Sequence, residues 1–76
     1  MSRLRLVDAK TLEKLLLRLG FEKARQKGSH VFYRHADGRV TTIPFHSGQT
    51  LARPLLRAIL SEINLSVEEY NDLLDD

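Results

Sequence analysis

The chain has 76 residues, enough for one domain, and its 42% hydrophobic and 29% charged residues are typical of a folded protein. It contains no cysteine, which excludes a disulfide framework and a thiolate zinc site. The longest apolar run, Leu15–Leu17, is far too short to cross a membrane. Because it also carries no signal peptide, we expect a cytoplasmic protein.

The net charge of +2 conceals two oppositely charged parts of the chain. Residues 1–57 contain all twelve Lys and Arg and only four acidic residues, so this body carries a charge of +8. Residues 58–76 contain six acidic residues and no Lys or Arg, a charge of −6. A basic body indicates a polyanionic partner, and the acidic tail either shields the basic surface or faces another protein.

A leucine-rich helix is predicted over about residues 9–19, with Asp8 as its N-cap. Its buried stripe has the i, i+3, i+4, i+7 spacing and consists of Leu12, Leu15, Leu16 and Leu19. Gly20 follows at the point where a residue with positive φ commonly ends a helix.

Three antiparallel strands are predicted next, because the segments alternate or are rich in β-branched and aromatic residues. These segments are residues 21–26, 30–35 and 39–43. Lys27–Ser29 and Ala36–Gly38 have the composition of tight turns, so the strands follow in meander order. Pro44 lacks a backbone N–H and is expected to end the third strand.

Two more helices are predicted after the strands. Pro54 fits the first turn of the second helix, and Asn64 is a candidate for its end. Ser66 and Glu69 have the spacing of a capping box, which predicts a short acidic helix over about residues 66–75. Leu65 and Tyr70 flank this box as a hydrophobic staple.

These elements predict an α+β fold of α-β-β-β-α order, with a short C-terminal third helix. A three-stranded antiparallel meander carries the helices on one face, which leaves the other face to solvent or a ligand. We expect a single domain over residues 1–76, with its core at about residues 8–64.

The three histidines are the first candidates for chemistry, because imidazole exchanges protons near neutral pH. His30, His35 and His46 lack the spacing of a metal-binding motif, and Asp37 is the one carboxylate close by in sequence, so we expect no metal and no cofactor. His30 directly follows a predicted turn and is a candidate general acid or base, or simply an exposed histidine at the start of a strand. His46 is a candidate second acid/base group or phosphate contact, or a plain loop histidine. His35 most simply flanks a turn.

Basic residues lie on both sides of His30 in the sequence and are candidates to bind phosphates. They are Lys23, Arg25, Lys27, Arg34 and Arg39. Phe32 and Tyr33 point to opposite faces of one strand, so one of them belongs to the core and the other is free to stack on a base. His30 and Phe32 share a face, but alternation does not decide which face the helices cover.

Several short motifs occur in a characteristic order. They are Leu19-Gly20-Phe21, Arg25-Gln26-Lys27-Gly28-Ser29-His30, Tyr33, Asp37-Gly38-Arg39, Ile43-Pro44-Phe45-His46-Ser47-Gly48 and Leu56-Arg57-Ala58-Ile59-Leu60. Together they resemble the HicA family of mRNA interferase toxins, also described as YcfA-like proteins. The resemblance extends from about residue 8 to residue 74.

The resemblance implies a fold similar to the double-stranded RNA-binding domain, in agreement with the predicted layering. It also implies that the protein is the toxin of a type II toxin–antitoxin system. Such a toxin would cleave mRNA without a metal, and a HicB-type antitoxin would bind it and cover the essential histidine. The histidine of the Gly-Ser-His motif, His30 in this chain, would be the essential residue. Lys27, Arg25 and backbone N–H groups around Gly28 and Ser29 would then hold the scissile phosphate.

Two other functions remain open at this point. One is a non-catalytic RNA-binding module of the same fold, which should keep its affinity for RNA when His30 is removed. The other is a protein-interaction domain whose acidic tail binds a partner, which truncation after Asn64 would test.

Overall fold

Residues 3–46 and 48–76 are described by the computed structural model of the chain, and they form three helices and three strands. In chain order the elements are α1 (Ala9–Arg18), β1 (Glu22–Lys27), β2 (His30–Arg34), β3 (Val40–Pro44), α2 (Arg53–Glu62) and α3 (Val67–Asp75). Ser47, a member of the motif Ile43–Gly48, lies outside the described residues. None of the helices in the described ranges is both long and apolar enough to cross a membrane.

The three strands form one antiparallel sheet in the order β1-β2-β3, with each strand paired to its neighbour in sequence. This arrangement confirms the predicted α+β meander and the α-β-β-β-α order with an added helix. The third strand ends at Pro44, as its missing backbone N–H predicts.

The sheet has one buried and one open face, because side chains alternate along its strands. The buried side chains of β2 and β3 are Val31, Tyr33, Thr41 and Ile43. Val31, Tyr33 and Ile43 form one hydrophobic cluster with the inward stripes of α1 and α2, including Leu12, Leu16, Leu56 and Ile59. The alternate side chains of β2 therefore lie on the face that the helices leave uncovered.

The helix ends use the caps that the sequence predicts. The Asp8 carboxylate accepts a hydrogen bond from the backbone N–H of Thr11 at 2.9 Å. Asn64 follows the end of α2 with a φ of +57°, a conformation that asparagine tolerates better than most residues. At the start of α3, Ser66 and Glu69 form the full capping box, with bonds of 3.0 and 2.9 Å.

The acidic helix α3 is anchored to the N-terminal segment and to α1. Tyr70 is fully buried, and its hydroxyl donates to the carbonyl of Arg5 at 2.6 Å. Arg5 pairs with Asp75 at 2.8 Å, and Arg18 of α1 donates to the Leu73 carbonyl at 3.0 Å. The tail thus belongs to the helical layer and does not shield the open face of the sheet.

Candidate functional site

His30 is the first residue of β2, and its side chain is exposed on the open face of the sheet. The turn before it has two residues, and Gly28 supplies the positive φ of +58° at the first of them. A Cβ at Gly28 would meet no atom within 4 Å, so the backbone conformation alone calls for glycine here. Among the described residues, no side chain or backbone group forms a hydrogen bond with the His30 ring, which is therefore accessible to a ligand.

Two cations of β1 share this face with His30. In the strand register, Lys27 lies opposite His30, and Arg25 lies opposite Phe32. The guanidinium carbon of Arg25 is 4.7 Å from the centre of the Phe32 ring, the geometry of a cation–π contact. Neither cation makes a salt bridge within residues 3–46 and 48–76, so both charges are available to an anion.

A register shift in β1 separates Lys23 from these two cations. The shift lies between Lys23 and Arg25, and it places Lys23 opposite Tyr33, on the buried face. The Lys23 ammonium nitrogen is 3.4 Å from a carboxylate oxygen of Glu13 on α1. Lys23 thus lies with the helical layer, and the structure does not bring it to His30.

The two arginines predicted beyond β2 also lie apart from His30. Arg34 is on the open face at the opposite end of β2, about 14 Å along the strand at about 3.4 Å per residue. Arg39 follows the β2–β3 turn, donates to Asp37 at 2.8 Å and to the carbonyl of Ile63, and lies over the Phe21 ring. Its contacts are structural, and its guanidinium holds the pKa of the Asp37 carboxyl below its usual value.

His46 lies at the same end of the sheet as His30. Pro44 is opposite His30 in the β2–β3 register, and the backbone N–H of Phe45 donates to the carbonyl of Ser29 at 2.7 Å. The exposed side chain of His46 borders two shallow cavities, one of about 340 Å³ beside the start of α1 and one of about 230 Å³ beside α2. His46 and His30 therefore lie at the same end of the sheet, and the cavities that His46 borders lie beside the helices.

His35 is held by contacts at the other end of β2. Nδ1 lies 3.1 Å from both the backbone nitrogen and the carboxylate of Asp37, and Nε2 lies 3.1 Å from the Leu19 carbonyl oxygen. The ring also packs edge-on against Phe21, with centroids 5.0 Å apart. His35 thus satisfies a backbone carbonyl at the end of α1 and is not free for a substrate.

The structure resolves which aromatic residue of β2 belongs to the core. Tyr33 is 1% exposed, and its hydroxyl donates to Glu13, whereas Phe32 is half-buried on the open face. Sequence reasoning missed the surroundings of Phe32, where Ala24, Val40 and Thr42 border a groove. The signal in the sequence was Val40, an apolar residue that alternation places across the hairpin on the same face as His30 and Phe32. It is 60% exposed in the structure.

No group of three or more His, Asp or Glu side chains that could hold a metal ion occurs in the described part of the chain. What the site offers instead is an accessible imidazole, cations without acidic partners and an aromatic ring on one strand face. This arrangement suits proton transfer beside a bound anion.

The fold and the site together define a small α+β domain whose helices cover one sheet face and whose other face carries the candidate functional residues. A family model described as the HicA toxin of bacterial toxin–antitoxin matches residues 9–65, most of the chain, and the protein belongs to this toxin family. Membership implies an antitoxin as its partner. No curated protein matches the chain significantly.

Proposed function

We propose that this toxin is an endoribonuclease of a type II toxin–antitoxin system, that it needs no metal, and that His30 is its general acid or base. The observation that carries the proposal is the position of His30, exposed on the uncovered sheet face, with Lys27 directly opposite. Arg25 lies two register pairs away on the same face, opposite Phe32. An imidazole beside two cations combines a proton-transfer group with phosphate-binding charge.

RNA contains its own nucleophile, so an acid and a base are sufficient to cleave it. A base takes the proton of the ribose 2′-hydroxyl, O2′ forms a bond to phosphorus, and the bond from phosphorus to the 5′-oxygen breaks. The leaving oxygen receives a proton, and the products are a 2′,3′-cyclic phosphate and a 5′-hydroxyl end. Lys27, Arg25 and the backbone N–H groups around Gly28 and Ser29 would stabilise the charge that develops on the phosphate.

The mechanism needs two proton transfers, and His30 can serve in one of them at a time. His46 is the candidate for the other, because the fold brings the end of β3 next to the turn that precedes His30. If His46 has this role, the ribonuclease rate should fall by about 10²-fold or more in His46→Ala, as for a general acid or base.

The test is cleavage of a single-stranded RNA in the presence of a chelator by the parent protein and by His30→Ala. We expect a rate loss of at least about 10²-fold in the variant. A substrate with a 2′-deoxyribose at the scissile nucleotide should resist the parent protein. Undiminished cleavage by His30→Ala, with thermal unfolding unchanged, would contradict the proposal.

The antitoxin is proposed to be of the HicB type and to cover His30, and the toxin is proposed to act in the cytoplasm. Because His30 is exposed in the free toxin, its ring resonances can be followed by NMR during titration with the antitoxin. We expect the His30 signals to shift and those of the enclosed His35 to remain. The opposite pattern would place the antitoxin elsewhere.

A second candidate function is RNA binding without cleavage. It is favoured by the extent of the open face, which continues past His30 to Phe32 and Arg34. In that case, the parent and His30→Ala proteins should bind RNA with equal affinity, and no cleavage product should appear with either.

A further inference from the structure

A groove crosses the open face of the sheet beyond His30. Its volume is about 390 Å³, and it extends from Ala24 in β1 to Glu62 at the end of α2. Phe32, Val40 and Thr42 border its middle, and Arg34 lies along one side. This volume falls within the range of small-molecule sites in proteins.

The groove combines an apolar surface with cations that have no acidic partners. Val40 is 60% exposed, and Phe32 is half-buried beside it. Arg25 lies over the Phe32 ring without bordering the groove, and neither Arg25 nor Arg34 forms a salt bridge in the described ranges. Aromatic rings and guanidinium planes are the surfaces on which unpaired nucleobases stack.

We infer that this groove is a subsite for one unpaired nucleobase of the RNA substrate. The inference rests on the proposed function, since it places the base next to the phosphate held at His30. His30 and Phe32 are two residues apart on one strand face, about 6.8 Å at the rise of a β-strand. That separation suits a phosphate and the base of the adjoining nucleotide.

The charges give the nucleotide a direction. The Glu62 carboxylate borders the groove from the helical layer, where it accepts a hydrogen bond from the buried Thr41 at 2.7 Å. Lys27 and Arg25 attract the phosphates at the end near His30. The sugar-phosphate backbone therefore follows the cations of β1, and the base enters the groove.

The pairing state of the RNA follows from the same geometry. In an A-form duplex, each base is stacked on both sides and its pairing edge is occupied, so its face cannot reach Phe32. A fold similar to the double-stranded RNA-binding domain thus acts here on unpaired nucleotides. The unpaired cations favour RNA over an apolar side chain of a protein partner as the occupant.

The experiment measures binding in the full-length His30→Ala background, where cleavage does not interfere. A short single-stranded RNA is compared with an oligomer of the same number of phosphates that carries no bases, and with a duplex of the same sequence. Adding Phe32→Leu should weaken binding of the single strand about 10-fold and leave the base-free oligomer and the duplex unchanged. Phe32→Tyr keeps an aromatic ring and should bind the single strand as tightly as Phe32 does.

Lys27→Gln is the matched control, because it removes a charge from the same face and no stacking surface. It should weaken all three ligands alike and reduce the salt slope of binding by about one. Equal weakening of the single strand and the base-free oligomer by Phe32→Leu would overturn the subsite. The subsite would also be overturned if Phe32→Leu kept its affinity for RNA and lost only its affinity for the antitoxin.

The subsite and the proposed function fail in different ways. If the parent protein cleaves RNA while Phe32→Leu binds the single strand normally, the subsite is wrong and the ribonuclease stands. If binding depends on the base as described but the parent cleaves nothing, the subsite stands and the catalytic role of His30 is wrong.

Discussion

The carboxylate of Glu13 on α1 accepts a hydrogen bond from the hydroxyl of Tyr33 in β2. Lys23 of β1 contacts the same carboxylate at 3.4 Å, so one acidic side chain connects a helix to two strands. Tyr33 lies between His30 and Arg34 on β2 but points to the buried face. By fixing the buried side of β2, this contact also fixes the side on which His30 and Phe32 are presented.

Removing the Tyr33 hydroxyl should cost stability without changing the shape of the core. Tyr33→Phe removes one hydrogen-bond donor from the Glu13 carboxylate, and the Glu13 side chain is only 19% exposed to water. We expect the free energy of unfolding to fall by about 1–2 kcal/mol, measured by urea denaturation. Lys23→Gln, whose side chain is 49% exposed, should cost less, at most about 1 kcal/mol. The reverse order of the two effects would contradict this view of the contact.

Alkaline pH should destabilise the protein through its two buried tyrosines. Burial raises the pKa of Tyr70 to about 12, and burial together with the Glu13 carboxylate raises the pKa of Tyr33 well above its ordinary value. The unfolded chain then releases these protons first, near pH 10, so stability is complete below pH 10 and falls above it. Each tyrosine contributes a slope of up to about 1.4 kcal/mol per pH unit.

The measurement is the free energy of unfolding between pH 8 and pH 11 for the parent and for Tyr70→Phe. The two proteins differ at position 70 alone, so a difference in slope belongs to Tyr70. The variant should be less stable at pH 8, because it loses the hydrogen bond to the Arg5 carbonyl, but it should lose less stability as the pH rises. Parallel curves for the two proteins would show that the Tyr70 proton is not linked to folding.

The loss of stability at acid pH should depend on carboxylates that cap helices or close turns. The hydrogen bond from Arg39 lowers the pKa of Asp37, and those from the Ser66 backbone and from Thr11 lower the pKa values of Glu69 and Asp8. Because the folded values lie below the unfolded ones, stability is present above about pH 4 and is lost as the pH falls through the folded values. When the melting temperature is measured against pH, it should fall less steeply at acid pH in Asp37→Asn than in the parent. An unchanged fall would show that protonation of Asp37 is not linked to unfolding.

The sequence predicted the helices well because their signals are local. The leucine stripe of α1, the proline in the first turn of α2 and the capping box of α3 each lie within a few neighbouring residues. The faces of the sheet depend on packing between distant elements. Alternation placed His30 with Phe32, but only the packing of α1 and α2 shows that this face is the open one.

The register shift in β1 is the feature that sequence could not supply. With strict alternation, Lys23, Arg25 and Lys27 would all lie on one face. The shift at Ala24 moves Lys23 to the buried side and keeps Arg25 and Lys27 on the open side. A single basic patch drawn along the sequence therefore divides in the fold, and two of its five side chains, Arg25 and Lys27, remain close to His30.

Truncation after Asn64 should unfold the protein, and would therefore say little about partners. It removes Tyr70, which is 0% exposed, and with it the anchor of the N-terminal segment. Loss of a fully buried aromatic side chain alone costs about 3–5 kcal/mol, a large part of the stability of a small domain. We expect Tyr70→Ala to lower the melting temperature steeply, which a thermal scan will show.

Charge variants test the tail as a docking surface without disturbing its packing. Glu68 and Asp72 are exposed and make no salt bridge within the described residues. Glu68→Gln and Asp72→Asn should keep the melting temperature within a few degrees of the parent. If the acidic face binds the antitoxin, both variants weaken that complex, and unchanged affinity assigns the tail to stability alone.

Gly20 and His35 are expected to be coupled, and Gly38 provides the control. Gly20 has a φ of +96° and Gly38 a φ of +100°, so alanine at either position is strained by about 1–3 kcal/mol. A Cβ at Gly20 would also lie 3.0 Å from Nε2 of His35, whereas a Cβ at Gly38 meets nothing within 4 Å. His35 cannot give way easily, since both ring nitrogens are bonded, to the Leu19 carbonyl and to the Asp37 N–H.

Gly20→Ala should therefore destabilise the protein more than Gly38→Ala, by about 1 kcal/mol or more in urea denaturation. In the His35→Ala background the ring is gone, and the two glycine substitutions should then cost about the same. This loss of the difference is a coupling free energy between Gly20 and His35. If the extra cost of Gly20→Ala persists without the ring, the contact with His35 is not its cause, and the glycine is required by the backbone alone.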